Sequence, residues 1–426
     1  MASSEDQTSP GQIVNPIYNL PAYAYRLSMI KRSITPELLD LAGQYPVVVV
    51  VGPRQSGKTT LCRSAFPDHA YVSLEDLDAR RFAREDPRGF LSQYGERALF
   101  DEIQRAPELL SYLQGIVDER RQPGQFVLTG SSQLDVVAGV TQSLAGRAAL
   151  VELLPFSLGE LAGTGRMPAG LEELVFQGLY PPIHDQGLEP SRWYANYVRT
   201  YVERDVRQLI NVQDLNTFQD FVRICAGRTG QLLNLSALGN DVGITHNTAK
   251  AWISALEASF LVHRLRPYHA NFGKRVLKTP KLFFVDAGLA CSLLGIETAD
   301  QLRTHPLRGS LFETWAVSEL LKARVNRGRS SNLYFWRDRR GLEVDVLIDH
   351  AAGFSLVEMK SGRTVPTNAM KNIRALRELS GGADGYNWMV YGGDRQEERS
   401  DATILGWRDV AGRADEIVGG VLGRSQ

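Results

Sequence analysis

Five consecutive valines, Val47 to Val51, limit the folds open to this chain more than any other stretch of its sequence. A run that is apolar at every position is buried on both faces, as in a central strand of a parallel sheet. The residues that follow such a strand lie at its carboxyl end, where open α/β sheets bind ligands. The run therefore predicts an α/β fold with a ligand site directly after Val51.

The loop after the valines has the phosphate-loop pattern G-x-x-x-x-G-K-[ST]. Its glycines allow backbone N–H groups to surround a phosphate, and a helix that begins near Lys58 directs the positive end of its dipole at the same point. We expect Lys58 to reach the β and γ oxygens of a nucleotide and the Thr59 hydroxyl to bind Mg²⁺. A coincidental glycine-rich turn is the alternative, which the strand–loop–helix context disfavours. The predicted nucleotide-binding residues are Gly52, Pro53, Arg54, Gln55, Ser56, Gly57, Lys58, Thr59 and Thr60.

An acidic pair, Asp101-Glu102, follows the short apolar segment "ALF". We expect Asp101 to hold Mg²⁺ through water and Glu102 to take a proton from the attacking water. Two solvated acids at a strand end are the alternative, which the upstream phosphate loop disfavours. Ser131 or Ser132, in "LTGSSQ", could orient the same water or could simply cap a helix.

Arg147, in "SLAGR", is a candidate arginine finger, a catalytic arginine that acts from its own or from a neighbouring subunit. An ordinary surface arginine in a salt bridge explains it nearly as well. A role across a subunit boundary would require a homo-oligomer, which makes a second copy of the chain one of the expected partners.

Composition restricts the class of protein. The 426 residues suggest about three domains. Formal net charge is zero, so any contact with nucleic acid has to come from local basic patches. The three cysteines are far apart, the N-terminal stretch has no basic and apolar leader, and no apolar run is 18 residues long. We therefore expect a cytoplasmic protein with no disulfide framework and no membrane segment.

Changes of pattern divide the chain into six segments. Residues 1–25 are polar and contain proline, which predicts a flexible leader. Apolar segments that alternate with helical patterns predict a parallel-sheet core with helical crossovers over residues 26–165. The further segments are a helical connector over 166–228, a helix–turn–helix module over 229–285, a third, α/β region over 286–410 and a tail over 411–426.

The third region contains acids and a lysine at spacings that suit a metal site. Side chains repeat every two residues along a strand, so Glu358 and Lys360 share one face, and Asp345 can meet them from a neighbouring strand. Glu313, on an upstream helix, could complete the set. Such acids can hold Mg²⁺ beside a phosphodiester while the lysine polarises water. The alternative, an amphipathic hairpin with a solvated charged face, is slightly favoured by these residues alone.

The helix–turn–helix module contains a second helix with Ala249, Trp252, Leu256 and Phe260 at helical spacing on one face. Its basic or near-basic residues are only His246 and Lys250, which is few for phosphate contacts. A basic stripe over residues 264–281 follows without one acid; it contains Arg264, Arg266, Lys274, Arg275, Lys278 and Lys281, with Tyr268 and Phe272 between them. The stripe is typical of a nucleic-acid-binding surface, although such a module is equally often a packing spacer.

The order of motifs resembles the bacterial and archaeal predicted AAA+-type ATPases that carry a C-terminal domain of unknown function with a PD-(D/E)xK nuclease-like fold. The matching motifs, in order, are "IKR", "GPRQSGKTTL", "DEIQRAPELL", "LTGSSQ", "SLAGR", "LLPFSLGEL", "YVERDVRQL", "KTPKLFFVDAGLA", "LFETWAVSELL", "FWRDRRGLEVDVLI" and "VEMKSG". The resemblance implies an ATP-binding and ATP-hydrolysing first domain over residues 26–165, a winged helix over 229–285 and a nuclease-like, restriction-endonuclease type domain over 286–410.

By position in these motifs, the resemblance assigns roles to individual residues. It implies that Lys58 and Thr59 bind the phosphates and Mg²⁺, and that Asp101 and Glu102 are the Mg²⁺ acid and the catalytic acid. Arg147 matches the arginine of "AGR". The nuclease-like acids and lysine are Glu313, Asp345, Glu358 and Lys360, and all four positions are filled. In "GLYPP" the chain departs from the pattern, because Leu179 stands where a second glycine is usual.

The leading hypothesis is therefore an Mg²⁺-dependent ATPase whose cycle governs a C-terminal half that binds DNA or another nucleic acid at a nuclease-like site. The second hypothesis is an ATP-dependent switch or interaction protein that uses an inactive nuclease-like fold as a binding scaffold. A small-metabolite kinase fits poorly, because the Asp-Glu pair and the two appended modules would have no use. A GTPase is disfavoured by the lack of an N-K-x-D motif.

Overall fold

The fold is taken from a computed structural model of the chain. It describes residues 29–419 except for residues 95, 132–135, 137–138, 141, 207–213, 269–277, 351–352 and 383. The predicted leader, Ser132 and the central part of the basic stripe with Lys274 and Arg275 lie outside the described residues. Within the described ranges, no helix is both long enough and apolar enough to cross a membrane.

A parallel sheet forms the first half of the molecule. Its five described strands are β1 (Val47–Val51), β2 (Ala70–Ser73), β3 (Ala98–Asp101), β4 (Phe126–Gly130) and β5 (Ala148–Glu152). They lie in the order β2-β3-β4-β1-β5, and every pair is parallel. All five valines of β1 are 0% exposed between β4 and β5. The valine run is thus an interior strand, and the predicted α/β fold with a parallel sheet is confirmed.

Helices connect these strands and cover the sheet. The described helices of this half are α1 (Thr35–Gln44), α2 (Lys58–Ala65), α3 (Leu77–Glu85), α4 (Pro87–Gln93), α5 (Leu109–Arg120) and α6 (Leu158–Leu161), with a 3₁₀ turn at Ile103–Arg105. Local sequence sets several helix starts: Asp76 and Asp86 accept backbone N–H bonds at the beginnings of α3 and α4. Ser157 and Glu160 form a capping box at the start of α6.

An aromatic connector joins the two halves. It comprises α7 (Leu171–Gln177), α8 (Pro181–Asp185), α9 (Pro190–Tyr197), a π-helical continuation (Val198–Val206) and α10 (Leu215–Gly227). The Tyr194 hydroxyl donates to Asp286 Oδ1 at 2.6 Å, and the Leu179 N–H donates to Asp286 Oδ2 at 2.7 Å. The positive φ in this loop belongs to Gly178, at +58°, whereas Leu179 does not have one. A second glycine is therefore not required by the backbone here.

The second half is built on one larger sheet. Its described strands are β6 (Gln231–Leu232), β7 (Val262–Pro267), β8 (Lys281–Phe284), β9 (Leu333–Arg337), β10 (Glu343–His350), β11 (Gly353–Lys360), β12 (Asn387–Tyr391), β13 (Glu397–Glu398) and β14 (Thr403–Gly406). They lie in the order β13-β14-β12-β11-β10-β9-β7-β8-β6. The accompanying helices are α11 (Leu235–Val242), α12 (His246–Ala258), α13 (Ala287–Leu293), α14 (Ala299–Leu302), α15 (Arg308–Val325), α16 (Lys371–Leu379) and α17 (Val410–Gly419).

The helix–turn–helix segment is joined to the third region by this sheet. Strand β7 pairs in parallel with β9, so that Arg266 lies opposite Tyr334. Helices α11 and α12 meet at a turn where Gly243 has φ +74°, and Trp252 on α12 is buried as its helical spacing predicts. Helix α12 ends at Ala258, so Phe260 lies beyond it rather than on the predicted helical face, although it is also buried. The predicted domain boundaries stay predictions.

The last described helix, α17, covers residues that we assigned to a C-terminal tail from residue 411 onwards. Its side chains at Ile417 and Val418 are 0% exposed, and it packs against α15 and α6. Residues 411–419 are therefore part of the packed structure.

Candidate functional site

The loop between β1 and α2 has a backbone that its glycines make possible. Gly57 precedes α2 with φ +91°, a value that other residues rarely adopt. At Gly52 an added Cβ would lie 2.1 Å from the Leu153 carbonyl oxygen, so a larger residue would collide with the chain beyond β5. Gln55 has a positive φ of 64° at the exposed tip of the loop. The loop therefore has a tightly curved shape at the carboxyl end of β1.

Lys58 points into this curve. Its Nζ atom donates to the Gly52 carbonyl at 3.0 Å and to the Pro53 carbonyl at 2.9 Å, and the residue is 5% exposed. Burial lowers the pKa of this amine, while the nearby acids oppose the shift. The Ser56 hydroxyl is buried and has no hydrogen-bond partner among the described residues. Phosphate oxygens could replace the two carbonyls as hydrogen-bond partners of the Lys58 amine, and they could also bind the unpaired Ser56 hydroxyl. Both features therefore fit a phosphate-binding loop.

The remaining predicted loop residues lie around this centre. The Arg54 carbonyl accepts a hydrogen bond from the Tyr197 hydroxyl of the connector at 3.3 Å, and the Arg54 guanidinium lies 3.7 Å from a Glu75 carboxylate oxygen. Thr60, in the first turn of α2, is exposed. The connector thus contacts the phosphate loop directly.

Asp101, at the end of β3, accepts hydrogen bonds from three hydroxyl groups. Its carboxylate accepts hydrogen bonds from Thr59 Oγ1 at 2.8 Å, from Tyr71 Oη at 3.2 Å and from Thr129 Oγ1. Parallel strands end at one edge of the sheet, which explains why residues from β2, β3, β4 and α2 meet here. A hydroxyl and a carboxylate are oxygen ligands of the kind that Mg²⁺ prefers, so Thr59 and Asp101 fit the predicted metal.

Glu102 is held beside them by a polar cluster. Its backbone has φ +57°, and its N–H donates to Thr129 Oγ1 at 3.1 Å. Its carboxylate accepts hydrogen bonds from Ser131 Oγ at 2.9 Å and from Gln104 Nε2. Ser131, predicted near the reacting water, therefore contacts the predicted catalytic acid. A role for Gln104 in the site was not predicted from the sequence. The only sequence signal for such a role was its position two residues after the acidic pair.

Arg147 lies at the wrong end of the sheet for a role in its own subunit. It immediately precedes β5, and its carbonyl accepts the N–H of Val47, the first residue of β1. The phosphate loop follows the opposite end of β1, a strand length of roughly 16 Å away. The guanidinium binds Asp118 instead, with Nη2 2.9 Å from Oδ2. The own-subunit arginine finger is thus wrong, and a role in a neighbouring subunit stays a prediction.

The acids and the lysine of the third region do meet. The antiparallel register of β10 and β11 pairs Val346 with Val357, which places Asp345 and Glu358 opposite each other. Lys360 Nζ lies 2.6 Å from Glu358 Oε1 and 4.0 Å from Asp345 Oδ2. The pairing of β9 with β10 shifts register between Val344 and Leu347, the stretch that contains Asp345, and such irregularities redirect side chains.

Glu313, from α15, faces this group, which we call the carboxylate cluster: Glu313, Asp345, Glu358 and Lys360. Burial and the charge of Asp345 raise the pKa of Glu313 to about 8 and that of Glu358 to about 7. Burial also raises the pKa of Asp345, although Lys360 opposes it. Such shifts are expected where acids lie close together with little access to water.

A bound cation would offset the electrostatic repulsion between the acids of the carboxylate cluster. The second carboxylate oxygen of Glu358 is buried without a hydrogen-bond partner among the described residues, so it could accept a metal. The side chains as they stand are not yet arranged for one: no three His, Cys, Asp or Glu residues of the described ranges are placed to hold a metal ion. The donor set fits Mg²⁺ chemically, whereas its coordination requires side-chain movement.

The predicted basic stripe is only partly available as a surface. The Arg264 guanidinium binds Glu257 within the same segment, with Nε 2.7 Å from Oε2. Lys281 is 4% exposed and forms a salt bridge with Glu343, beside the carboxylate cluster. Among the described members of the stripe, Arg266 and Lys278 are exposed. Strand pairing turns alternate side chains inward, so a run of basic residues does not form a continuous basic face.

Models of three protein families match successive parts of the chain. An AAA domain matches residues 44–162, the domain of unknown function DUF8612 matches residues 169–300, and the domain of unknown function DUF4143 matches residues 308–410. The first match agrees with the predicted ATPase core. The other two descriptions name neither a winged helix nor a nuclease fold, and both of these stay predictions.

Curated relatives and solved structures also resemble the chain. The Walker-type ATPase PABY2304 of Pyrococcus abyssi is 15% identical, with 63% of this chain and 97% of that chain covered and a TM-score of 0.43. The RuvB Holliday junction branch migration motor of Thermotoga maritima is 18% identical, with 55% and 90% covered and a TM-score of 0.28.

The uncharacterized proteins Rv2008c of Mycobacterium tuberculosis and Mb2031c of Mycobacterium bovis are each 30% identical to the chain over 382 residues. These matches cover 88% of this chain and 83% of each relative. The chain therefore belongs to the same protein family as these two mycobacterial proteins, and its residues 44–162 match the model of an AAA domain.

Proposed function

We propose that this protein is an Mg²⁺-dependent ATPase whose nucleotide cycle controls binding and cleavage of nucleic acid at the carboxylate cluster. One observation carries the ATPase part: Lys58, Thr59, Asp101 and Glu102 are gathered at one edge of the parallel sheet. Phosphate binding, metal binding and water activation need these groups close together.

At the nucleotide site, each side chain has a distinct task. Lys58 exchanges the two loop carbonyls for phosphate oxygens, and Thr59 and Asp101 would hold Mg²⁺, which would neutralise phosphate charge. Glu102 accepts the proton of the attacking water. Ser131 and Gln104 both donate to the Oε2 atom of Glu102. The Oε1 atom can therefore accept the proton while both of these hydrogen bonds hold the carboxylate in place.

At the carboxylate cluster, the unpaired oxygen of Glu358 supports a metal-assisted reaction. Asp345, Glu358 and Glu313 would hold Mg²⁺, which would polarise a phosphodiester, and Lys360 would stabilise the developing charge. Exposed Arg266 and Lys278 supply positive charge on the neighbouring segment, which supports a nucleic acid as the substrate.

Coupling between the two sites is supported by two buried side chains of α15 that bind the backbone of the segment after β5. Glu319 Oε2 accepts the Leu158 N–H at the start of α6 at 2.7 Å, and Lys322 Nζ donates to the Phe156 carbonyl at 2.8 Å. Glu319 and Lys322 are also paired with each other at 3.0 Å. Helix α15 carries Glu313 as well, so a shift of the segment after β5 moves an acid of the carboxylate cluster.

The proposal is tested by ATP turnover and DNA cleavage in one preparation, with single- and double-stranded DNA. We expect DNA to stimulate ATP turnover and Mg²⁺ to support cleavage. Asp345→Asn should abolish cleavage and leave the basal ATP turnover intact, because Asp345 lies in the larger sheet and not in the sheet that holds the phosphate loop. Indifference of ATP turnover to DNA would contradict the coupling. ATP-dependent association with DNA that Asp345→Asn leaves unchanged, without cleavage, would instead support the binding scaffold.

A further inference from the structure

Arg32, in the segment before α1, is buried against the phosphate loop. Its Nη1 atom donates to the Ser56 carbonyl at 2.7 Å, and Nη2 donates to the Leu154 carbonyl at 2.6 Å. Its Nε atom lies 3.2 Å from Glu160 Oε1, and its side chain is 7% exposed. The guanidinium also lies over the Phe156 ring, 4.9 Å from the ring centre. One side chain thus ties the phosphate loop to the segment after β5.

The contact with Ser56 determines how the next peptide group is turned. The Ser56 carbonyl and the Gly57 N–H belong to one planar trans peptide, in which the two groups point in opposite directions. Arg32 holds the carbonyl from outside the loop, so the Gly57 N–H faces away from Arg32. In phosphate loops such N–H groups bind the phosphate oxygens. Gly57 has φ +91° and, as a glycine, has wide backbone freedom, so the contact from Arg32 restricts the orientations open to this peptide.

A role confined to charge neutralisation would not need this geometry. Glu160 already accepts the Ser33 N–H at 2.6 Å and the Ser157 N–H at 2.9 Å through its two oxygens. An ion pair alone would be satisfied by any cation at Glu160, whereas the two terminal nitrogens of Arg32 are directed at backbone carbonyls on separate segments. Only a guanidinium has donors spaced for all three partners.

We propose that Arg32 is a positioning residue for nucleotide binding: it fixes the Ser56–Gly57 peptide so that its N–H faces the phosphate. The proposal rests on the proposed ATPase function. Arg32 contacts the backbone of the loop, so its loss should raise the Kd for ATP as well as lower the free energy of unfolding. The Glu160 carboxylate keeps the guanidinium in place.

Two variants separate this role from simple stability. Arg32→Lys keeps a cation beside Glu160 but cannot reach both carbonyls. The double variant Arg32→Met with Glu160→Gln removes both charges, which avoids an unpaired buried acid. We expect each to raise the Kd of MgATP, measured by calorimetry, by about tenfold, the value of one charge-assisted hydrogen bond.

Arg308→Lys is the matched control. Arg308 makes the same kind of contacts elsewhere, with Nη1 2.6 Å from the Ser361 carbonyl and Nη2 3.0 Å from Glu172. The variant Arg308→Lys should leave the Kd of MgATP unchanged, whereas it should lower the free energy of unfolding measured in urea. If the Arg32 variants bind MgATP as tightly as the control, or if affinity falls only in proportion to stability in all three, the positioning role is wrong. If the wild type itself does not bind MgATP, the ATPase proposal fails first, and the positioning role fails with it.

Discussion

At the scale of single residues, the candidate ATPase site depends on groups that are costly to bury. Lys58 lies under the phosphate loop and is 5% exposed, and this burial lowers the pKa of its amine. Thr59 and Asp101 are hydrogen-bonded although 42 positions separate them in the chain. Such polar groups are retained inside a protein when a ligand repays their desolvation.

Replacement of Lys58 by Met should therefore lower ATP turnover without lowering the free energy of unfolding. We expect Lys58→Met to lower ATP turnover at least about a hundredfold, because the phosphate oxygens lose their charged partner. The free energy of unfolding should stay unchanged or rise, since a desolvated amine is removed. The exposed Lys250 on α12 provides the control, because Lys250→Met should alter neither quantity. Loss of folding in Lys58→Met, measured by urea unfolding, would contradict this view of the amine.

His263, on β7, should make the fold sensitive to acid. Burial lowers its pKa from 6.5 to about 4, with Glu257 opposing the shift and Arg266 and Arg264 adding to it. The folded pKa lies below the unfolded one, so the unfolded state binds more protons in between, and stability falls as the pH drops from 6.5 towards 4. On acidification, we expect the free energy of unfolding to fall by roughly 1–3 kcal/mol less in His263→Gln than in the wild type. Urea unfolding at about pH 7 and about pH 5 measures this; equal losses in both proteins would contradict it.

At the scale of elements, sequence motifs located the ends of strands but not the contacts between distant segments. The valine strand, the phosphate loop and the start of α2 at Lys58 were predictable, because each depends on neighbouring residues. Arg147 could have been placed correctly from its position before β5, since parallel strands begin at the edge opposite their ligand site. The parallel pairing of β7 with β9 was not predictable, because it joins segments about seventy residues apart that share no local signal.

One such distant contact is made by Asp286, which caps α13. Its carboxylate accepts hydrogen bonds from Leu289 N at 2.9 Å and from Tyr194 Oη at 2.6 Å, and it is 2% exposed. We expect Asp286→Ala to cost roughly 2–4 kcal/mol, because several buried donors lose their acceptor at once. Asp214→Ala, which removes the exposed cap of α10, should lower the free energy of unfolding much less. Equal costs in urea unfolding would show that burial of the cap is unimportant.

At the scale of the whole molecule, a role of Arg147 in a neighbouring subunit would link activity to assembly. It faces away from its own phosphate loop and binds Asp118. If it completes a neighbouring site, Arg147→Ala should lower ATP turnover per subunit, and dilution of the wild type should do the same. Asp118→Ala, which leaves the arginine in place, is the control and should keep most of the activity. Turnover that depends neither on Arg147 nor on protein concentration would exclude the trans role. Light scattering gives the mass of the assembly.

Helix α15 also sets a geometric constraint between the two sites. Glu313 points to the carboxylate cluster and Glu319, six positions further on, points to the start of α6. Successive residues of an α-helix are rotated by about 100°. Adding or deleting one residue between these two glutamates would turn one of them out of its site while the other stayed in place. The rotational phase of α15 therefore fixes the directions of Glu313 and Glu319 together, and a one-residue insertion or deletion between them cannot preserve both contacts.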